Sequence, residues 1–237
     1  MANPYFSFKQ FTVFHHQCAM KVGVDGVLLG AWAAVDNCKR ILDIGTGTGL
    51  IALMIAQRCD ALIDAIDIAP DAILQATENI NLSPWENRIA LHEIAVQDFS
   101  SKMKDGYDLI VSNPPYFINS TKSPLENRST ARHTDTLTHE ELLQHASKML
   151  NPKGRICLIL PLTEGQACMN DAIKLGLYTT KVVTVFPKPN APAKRLLLEF
   201  SFIKGDMQAT DLVIESTERH QYSEEFTQLA KDFYLKL

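Results

Sequence analysis

Three clusters of residues in this sequence have types and spacings that could do chemistry. The first is "DLIVSNPPYF", from Asp108 to Phe117, where residues suited to a buried strand stop at Asn113, Pro114, Pro115, Tyr116 and Phe117. Adjacent prolines remove two backbone donors and fix φ, so no strand continues through them. A stiff, polar, aromatic-tipped turn at a strand's carboxyl end is suited to holding something still. The second cluster is "DIGTGTG", with Gly45, Gly47 and Gly49 just beyond Asp43. Glycines there permit positive φ and let a ligand approach the backbone at a helix N-terminus. The third is Asp67, closing the next strand-like run "LIDAID", where a carboxylate can accept both hydroxyls of a ribose.

The glycine spacing is GxGxG, not the GxGxxG of dinucleotide binders. Asp43 beneath the turn would repel a pyrophosphate and attract a ligand carrying an ammonium and a sulfonium. Together these features favour S-adenosylmethionine over NAD.

The elements that must position these residues are legible from residue 40 onward. "RILDIG", "LIDAIDI", "IALHEIA", "YDLIVSN" and "GRICLILP" are strand-like, and helix-period segments separate most of them. Pro70 suits a first helical turn, and Thr138 with Glu141 forms a capping box ahead of the apolar stripe Leu142, Ala146 and Met149. Such alternation predicts right-handed βαβ units and a parallel sheet. "TTKVVTVFP" and "KRLLLEFSFIKG" follow with no helix between them, which predicts an antiparallel hairpin. The expected fold is α/β and Rossmann-like, with a mostly parallel seven-stranded sheet, a C-terminal antiparallel hairpin and helices on both faces. One domain is expected over 1–237: an N-terminal extension (1–36), an α/β core (37–205) and a tail (206–237) packed on it. The polar stretch from Phe117 to Thr136 is long for an α/β connection, as functional loops are.

Composition excludes several classes. The chain has 237 residues, a net charge of −4 and 46% hydrophobic residues, so any nucleic-acid contact must come from local basic groups. The five cysteines are dispersed without a CxxC pair, which supports neither a disulfide framework nor a zinc site. No signal peptide and no apolar run long enough for a bilayer is visible, so a cytoplasmic location is expected. Histidine spacing supports neither a metal site nor a Ser-His-Asp arrangement.

"LDIGTGTG", the acid ending "DAID" and "NPPY" resemble the class I S-adenosylmethionine-dependent methyltransferases, and NPPY resembles the motif of their amino-methylating members. "KVGVDGVLLGAW" and the ending "LVIESTERHQYSEEFTQLAKDFYLKL" resemble the bacterial tRNA(Val) adenine-N6-methyltransferases, so the similarity spans essentially the whole chain. The resemblance implies methyl transfer to the exocyclic amine of adenosine 37 beside the anticodon. An adenine amine is a poor nucleophile because its lone pair is delocalised into the ring. Two acceptors aimed at its N–H groups, the Asn113 side-chain oxygen and the Pro114 carbonyl, would localise that pair and point it at the methyl. Pro115 stiffens the turn, and Tyr116 and Phe117 offer faces to a flipped base. By analogy with the family, Lys21, Gly23 and Asp25 line the methionine end of the cofactor. The acid that often follows the third strand is replaced by Ala95 and Val96, which leaves Asp98 or the Val96 backbone to hold the cofactor adenine.

Lys122, Arg128, Arg132 and His133 in the long loop, and Lys188, Lys194 and Arg195 in the hairpin, are candidates for tRNA phosphate contact. Glutamine-N5 and guanine-N2 methyltransferases share NPPY; too little sequence precedes the glycine motif for the helical domain typical of the glutamine enzymes. A NAD-dependent dehydrogenase lacks its motif here, and a non-catalytic RNA-binding module would not need an intact NPPY. No metal is expected.

Overall fold

The computed structural model describes residues 3–18, 21–103, 106–114, 137–217 and 221–236. A hairpin of β1 (Tyr5–Ser7) and β2 (Thr12–Phe14) precedes helix α1 (Val24–Trp32). The α/β core then runs β3 (Arg40–Ile44), α2 (Leu50–Arg58), β4 (Leu62–Asp67), α3 (Pro70–Asn81), β5 (Ile89–Glu93), α4 (Val96–Lys102) and β6 (Tyr107–Ser112). After it come α5 (His139–Lys148), β7 (Leu150–Pro161), α6 (Leu162–Lys174), β8 (Tyr178–Phe186), β9 (Arg195–Ser201), β10 (Gln208–Val213) and α7 (Glu224–Ala230). The sheet order is β10-β8-β9-β7-β6-β3-β4-β5; β9 is antiparallel to both neighbours and every other pairing is parallel.

Alternation along the strands builds a core on each face. Ile41 of β3, Leu109 and Val111 of β6 and Cys157 and Ile159 of β7 face the layer of α1, α2, α7 and the β1–β2 hairpin. Leu42 and Ile44, Ile110, and Ile156 and Leu158 face α4, α5 and α6. The capping box at Thr138 forms in both directions: the Glu141 N–H donates to Thr138 Oγ1 at 3.1 Å and the Thr138 N–H to Glu141 Oε2 at 2.9 Å.

The Rossmann-like expectation and the β8–β9 hairpin are as anticipated, with two differences. Among the described residues the sheet has eight strands, because Gln208–Val213 adds β10 parallel to β8 at the edge. Its first four residues are exposed, and polar and apolar types do not alternate along it, so nothing marks it in the sequence. Residues 96–102 form α4, a helix that is not among the segments expected from the sequence. Val96 and Phe99, three positions apart, are buried in the α4–α6 layer and hold that short helix down.

Candidate active site

The site is built at the carboxyl ends of three neighbouring strands. Ile44 of β3 is in register with Ile66 of β4 on one side and with Ser112 of β6 on the other. One step further along the three chains stand Gly45, Asp67 and Asn113. Ser112 Oγ donates to the Ile44 carbonyl at 2.7 Å, a buried bond that ties the NPPY strand to the glycine strand at this level.

The glycine turn is held from below and from one side. The N–H groups of Gly45 and Thr46 both donate to the Ile66 carbonyl, at 2.9 and 3.0 Å. The Gly47 N–H donates to Asp67 Oδ2 at 2.9 Å, and the Ala69 N–H to Asp67 Oδ1 at 2.9 Å. Asp67 is thereby fixed with lone pairs left on both oxygens. Gly45 and Gly47 have φ of +71° and +56°, and a Cβ on either would meet nothing within 4 Å. Backbone conformation demands glycine there, and the space above the turn is open to a ligand.

Asp43 lies beneath the turn, 0% exposed. Its Oδ2 accepts from the Thr46 hydroxyl at 2.7 Å, while Oδ1 is buried with no hydrogen-bond partner among the described residues. Burial pushes its carboxyl up to about 7; the Thr46 hydroxyl and the Ala52 backbone oppose this, and the Asp67 charge adds to it. An orphaned buried carboxylate oxygen suits a ligand that brings a positive donor. The open face over Gly45 and Gly47 and the fixed carboxylate of Asp67 at the rim suit its ribose. The residues present therefore fit S-adenosylmethionine.

Asn113 is half-buried and Pro114 buried at the end of β6. Pro115, Tyr116, Phe117, Lys122, Arg128, Arg132 and His133 lie outside the described residues. Gly23 is the N-cap of α1 in extended backbone, and Lys21 before it is exposed. Asp25, in the first turn of α1, accepts from Arg195 Nε at 2.8 Å, so a residue expected at the cofactor and one expected at RNA are brought together. Lys188 pairs with Glu215 at 3.0 Å, and Lys194 is exposed beside it in the hairpin. Asp98 stands in the first turn of α4, exposed, while Val96 is buried.

Several residues around the site escaped the sequence reading. Ile68, directly after Asp67, is 60% exposed at the rim; an apolar residue following a strand-ending acid was the available signal. Thr46 holds Asp43. Gln75 and Asn79 are amides, 0% and 1% exposed, on the otherwise apolar face of α3 formed by Ala72, Ala76 and Ile80. Among the described residues no cluster of His, Cys, Asp or Glu could hold a metal ion, and no helix is long and apolar enough to cross a membrane.

Comparison with known proteins gives consistent results. Residues 26–175 match the methyltransferase small domain family. A tRNA1(Val) (adenine(37)-N6)-methyltransferase of Parabacteroides distasonis is 53% identical over 237 residues, 100% of both chains. A protein of the same description from Trichodesmium erythraeum is 45% identical over 239 residues, again 100% of both. One from Erwinia tasmaniensis is 43% identical over 232 residues, 97% of this chain and 94% of its own. Among solved structures, a predicted O-methyltransferase of Agrobacterium tumefaciens superposes with a TM-score of 0.68 at 20% identity, covering 88% of this chain and 96% of that one. That likeness concerns the fold alone.

Proposed function

Because the chain belongs to the methyltransferase small domain family, and within it to the tRNA1(Val) (adenine(37)-N6)-methyltransferases, we propose that it methylates the exocyclic N6 of adenosine 37 in tRNA(Val), with S-adenosylmethionine as donor. The observation that carries this reading is the shared register of Ile44 with Ile66 and Ser112, which stands Gly45, Asp67 and Asn113 side by side.

The cofactor supplies an electrophilic methyl group on a sulfonium. Asp43 Oδ1 would accept from its ammonium, and Lys21 and Gly23 would border its methionine end. Asp67 would take the ribose hydroxyls, Ile68 would pack on the adenine, and Asp98 would accept from the adenine amine. Asn113 Oδ1 and the Pro114 carbonyl accept the two N–H groups of the substrate amine, so its lone pair points along the line of transfer. Pro115 keeps that carbonyl in place, and Tyr116 and Phe117 stack on the flipped base. No strong general base is required, because the amine becomes more acidic as the N–C bond forms.

Lys122, Arg128, Arg132, His133, Lys188 and Lys194 contact phosphates of the anticodon arm in this reading, in the cytoplasm. Arg195, held by Asp25, ties the hairpin to the start of α1 instead. The test uses total tRNA from cells lacking the gene, purified protein and labelled S-adenosylmethionine, with modified nucleosides identified by mass spectrometry. N6-methyladenosine in tRNA(Val) is the expected product. Transfer to a cell protein extract with none to tRNA would replace adenine by a glutamine side chain.

A further inference from the structure

Helix α3 carries two amides where its buried stripe calls for apolar residues. Asn79 uses both its amide protons and its oxygen. Its Oδ1 accepts from the Phe14 N–H at 2.8 Å, and its Nδ2 donates to the Phe14 carbonyl at 2.9 Å and to the Thr48 carbonyl at 2.8 Å. A primary amide copies the donor and acceptor of a peptide group, so Asn79 stands where the next strand would stand beside β2. Its remaining proton reaches into the glycine turn. One helical turn earlier, Gln75 Oε1 accepts from the Gln17 N–H at 3.0 Å, and Gln75 Nε2 donates to Glu78 Oε2 at 2.6 Å.

Side chains four apart share one helix face. These two therefore grip successive points of the segment Phe14–Gln17 as it runs along α3 toward the helix N-terminus. The next residue, Cys18, is partly buried. Burial, and after it the charges of Asp67 and Asp71, raise its thiol pKa. Asn79 thus connects the N-terminal segment to the glycine turn. Buried amides are costly unless every polar atom is paired, and no oxygen or nitrogen of either amide is orphaned.

We propose that Gln75 and Asn79 are positioning residues for cofactor binding, an amide ladder on α3 that fixes the N-terminal segment against the glycine turn. The proposal rests on the S-adenosylmethionine reading above and adds residues that touch neither cofactor nor substrate. With the ladder intact, the wall is preformed and the cofactor does not have to order it. With the ladder broken, the segment loosens and part of the binding free energy goes into ordering it.

The experiment compares the full-length protein with Gln75→Met, which keeps side-chain length but cannot accept from Gln17, and with Asn79→Leu. Two quantities are read. One is the rate of Cys18 alkylation by iodoacetamide without ligand, followed on its peptide by mass spectrometry. The other is the Kd for S-adenosylmethionine by calorimetry. Expected are faster Cys18 alkylation in both variants and cofactor affinity weakened roughly 3- to 10-fold for Gln75→Met, more for Asn79→Leu. The Michaelis constant for cofactor rises by more than kcat falls, and that for tRNA moves less. A purely structural role would lower the melting temperature and leave alkylation and Kd unchanged, overturning the proposal. Faster alkylation with unchanged Kd would overturn it too, because the segment would then not shape the cofactor site. Gln75→Met sits at the less connected rung and decides the matter even where Asn79→Leu does not fold. Failure of the wild-type protein to bind S-adenosylmethionine would instead sink the functional reading on which the ladder depends.

Discussion

The two ends of the sheet handle polar groups in opposite ways. At the amino ends of β3, β4 and β6 the network is closed. Asp64 accepts from Arg40, His92 and the Tyr107 hydroxyl at 3.2, 2.8 and 2.8 Å. Asp108 accepts from the N–H groups of Lys39 and Arg40 and from the Asn151 amide at 2.8, 3.1 and 2.8 Å. At the carboxyl ends of the same strands the network is open: among the described residues Asp43 Oδ1 has no partner, and a Cβ on Gly45 or Gly47 would meet nothing within 4 Å. A protein stabilises a closed network for its own sake, whereas buried incompleteness is kept where a ligand completes it. The open end is therefore where substitutions change binding and chemistry, and the closed end is where they change stability alone.

The largest effect tests the open end at the proposed reacting group. Asn113→Ala is expected to lower kcat roughly 100- to 1,000-fold, the scale of removing one preorganised polar group, with cofactor Kd changed less than about twofold. Stopped-time assays with labelled cofactor measure the first quantity and calorimetry the second. A comparable loss of cofactor affinity would move Asn113 from the amine to the cofactor. Asp67→Ala comes next. Losing a charged acceptor for two hydroxyls should weaken S-adenosylmethionine about 10- to 100-fold. The Gly47 and Ala69 N–H groups also lose their partner, so a fall in melting temperature accompanies it.

Asp43 gives a pH signature. Burial raises its folded pKa from 3.8 to about 7, so its neutral form is favoured in the unliganded fold. The stability this group confers is full below its unfolded value and is lost as pH rises through 7. A cofactor ammonium selects the ionised form, so binding should strengthen as unliganded stability declines. Kd for S-adenosylmethionine is expected to rise by up to about tenfold per pH unit as pH is lowered below 7. Asp43→Asn should flatten both profiles. A wild-type Kd that ignores pH between 6 and 8 would remove Asp43 from the ammonium.

Much of the open end was legible because it depends on local order along the chain. Strand, glycine turn, helix, strand and acid follow one another within residues 40–81, and NPPY follows its strand directly. Parallel pairing then puts consecutive crossovers side by side, so linear order becomes spatial order. What stayed hidden depends on partners far apart in sequence. The separation between Asp25 and Arg195 is 170 residues, and that between Asn79 and Phe14 is 65. Each looked functional or polar in isolation, and neither carries a periodic signal pointing to the other. β10 and α4 were missed for another reason: one is an exposed edge strand, and the other is a helix of seven residues held by two apolar side chains.

The smallest effect is the control at the closed end. Tyr107 is fully buried, its ring lies under the Arg40 guanidinium with 5.0 Å to the centroid, and its hydroxyl donates to Asp64. Burial together with that bond raises the phenol pKa, so the group acts as a donor throughout the accessible pH range. Tyr107→Phe removes the hydroxyl and keeps the ring and its contact with Arg40. Asp64 retains Arg40 and His92, so the cost is one hydrogen bond, about 1 kcal/mol in urea denaturation. Cofactor Kd and methyl transfer should stay at wild-type values, because Tyr107 and Arg40 open β6 and β3, at the opposite ends of those strands from Asn113 and Gly45. A change in Kd with so small a loss of stability would mean that the two ends are coupled through β3 and β4, and that closure at one end helps to set the geometry of the other.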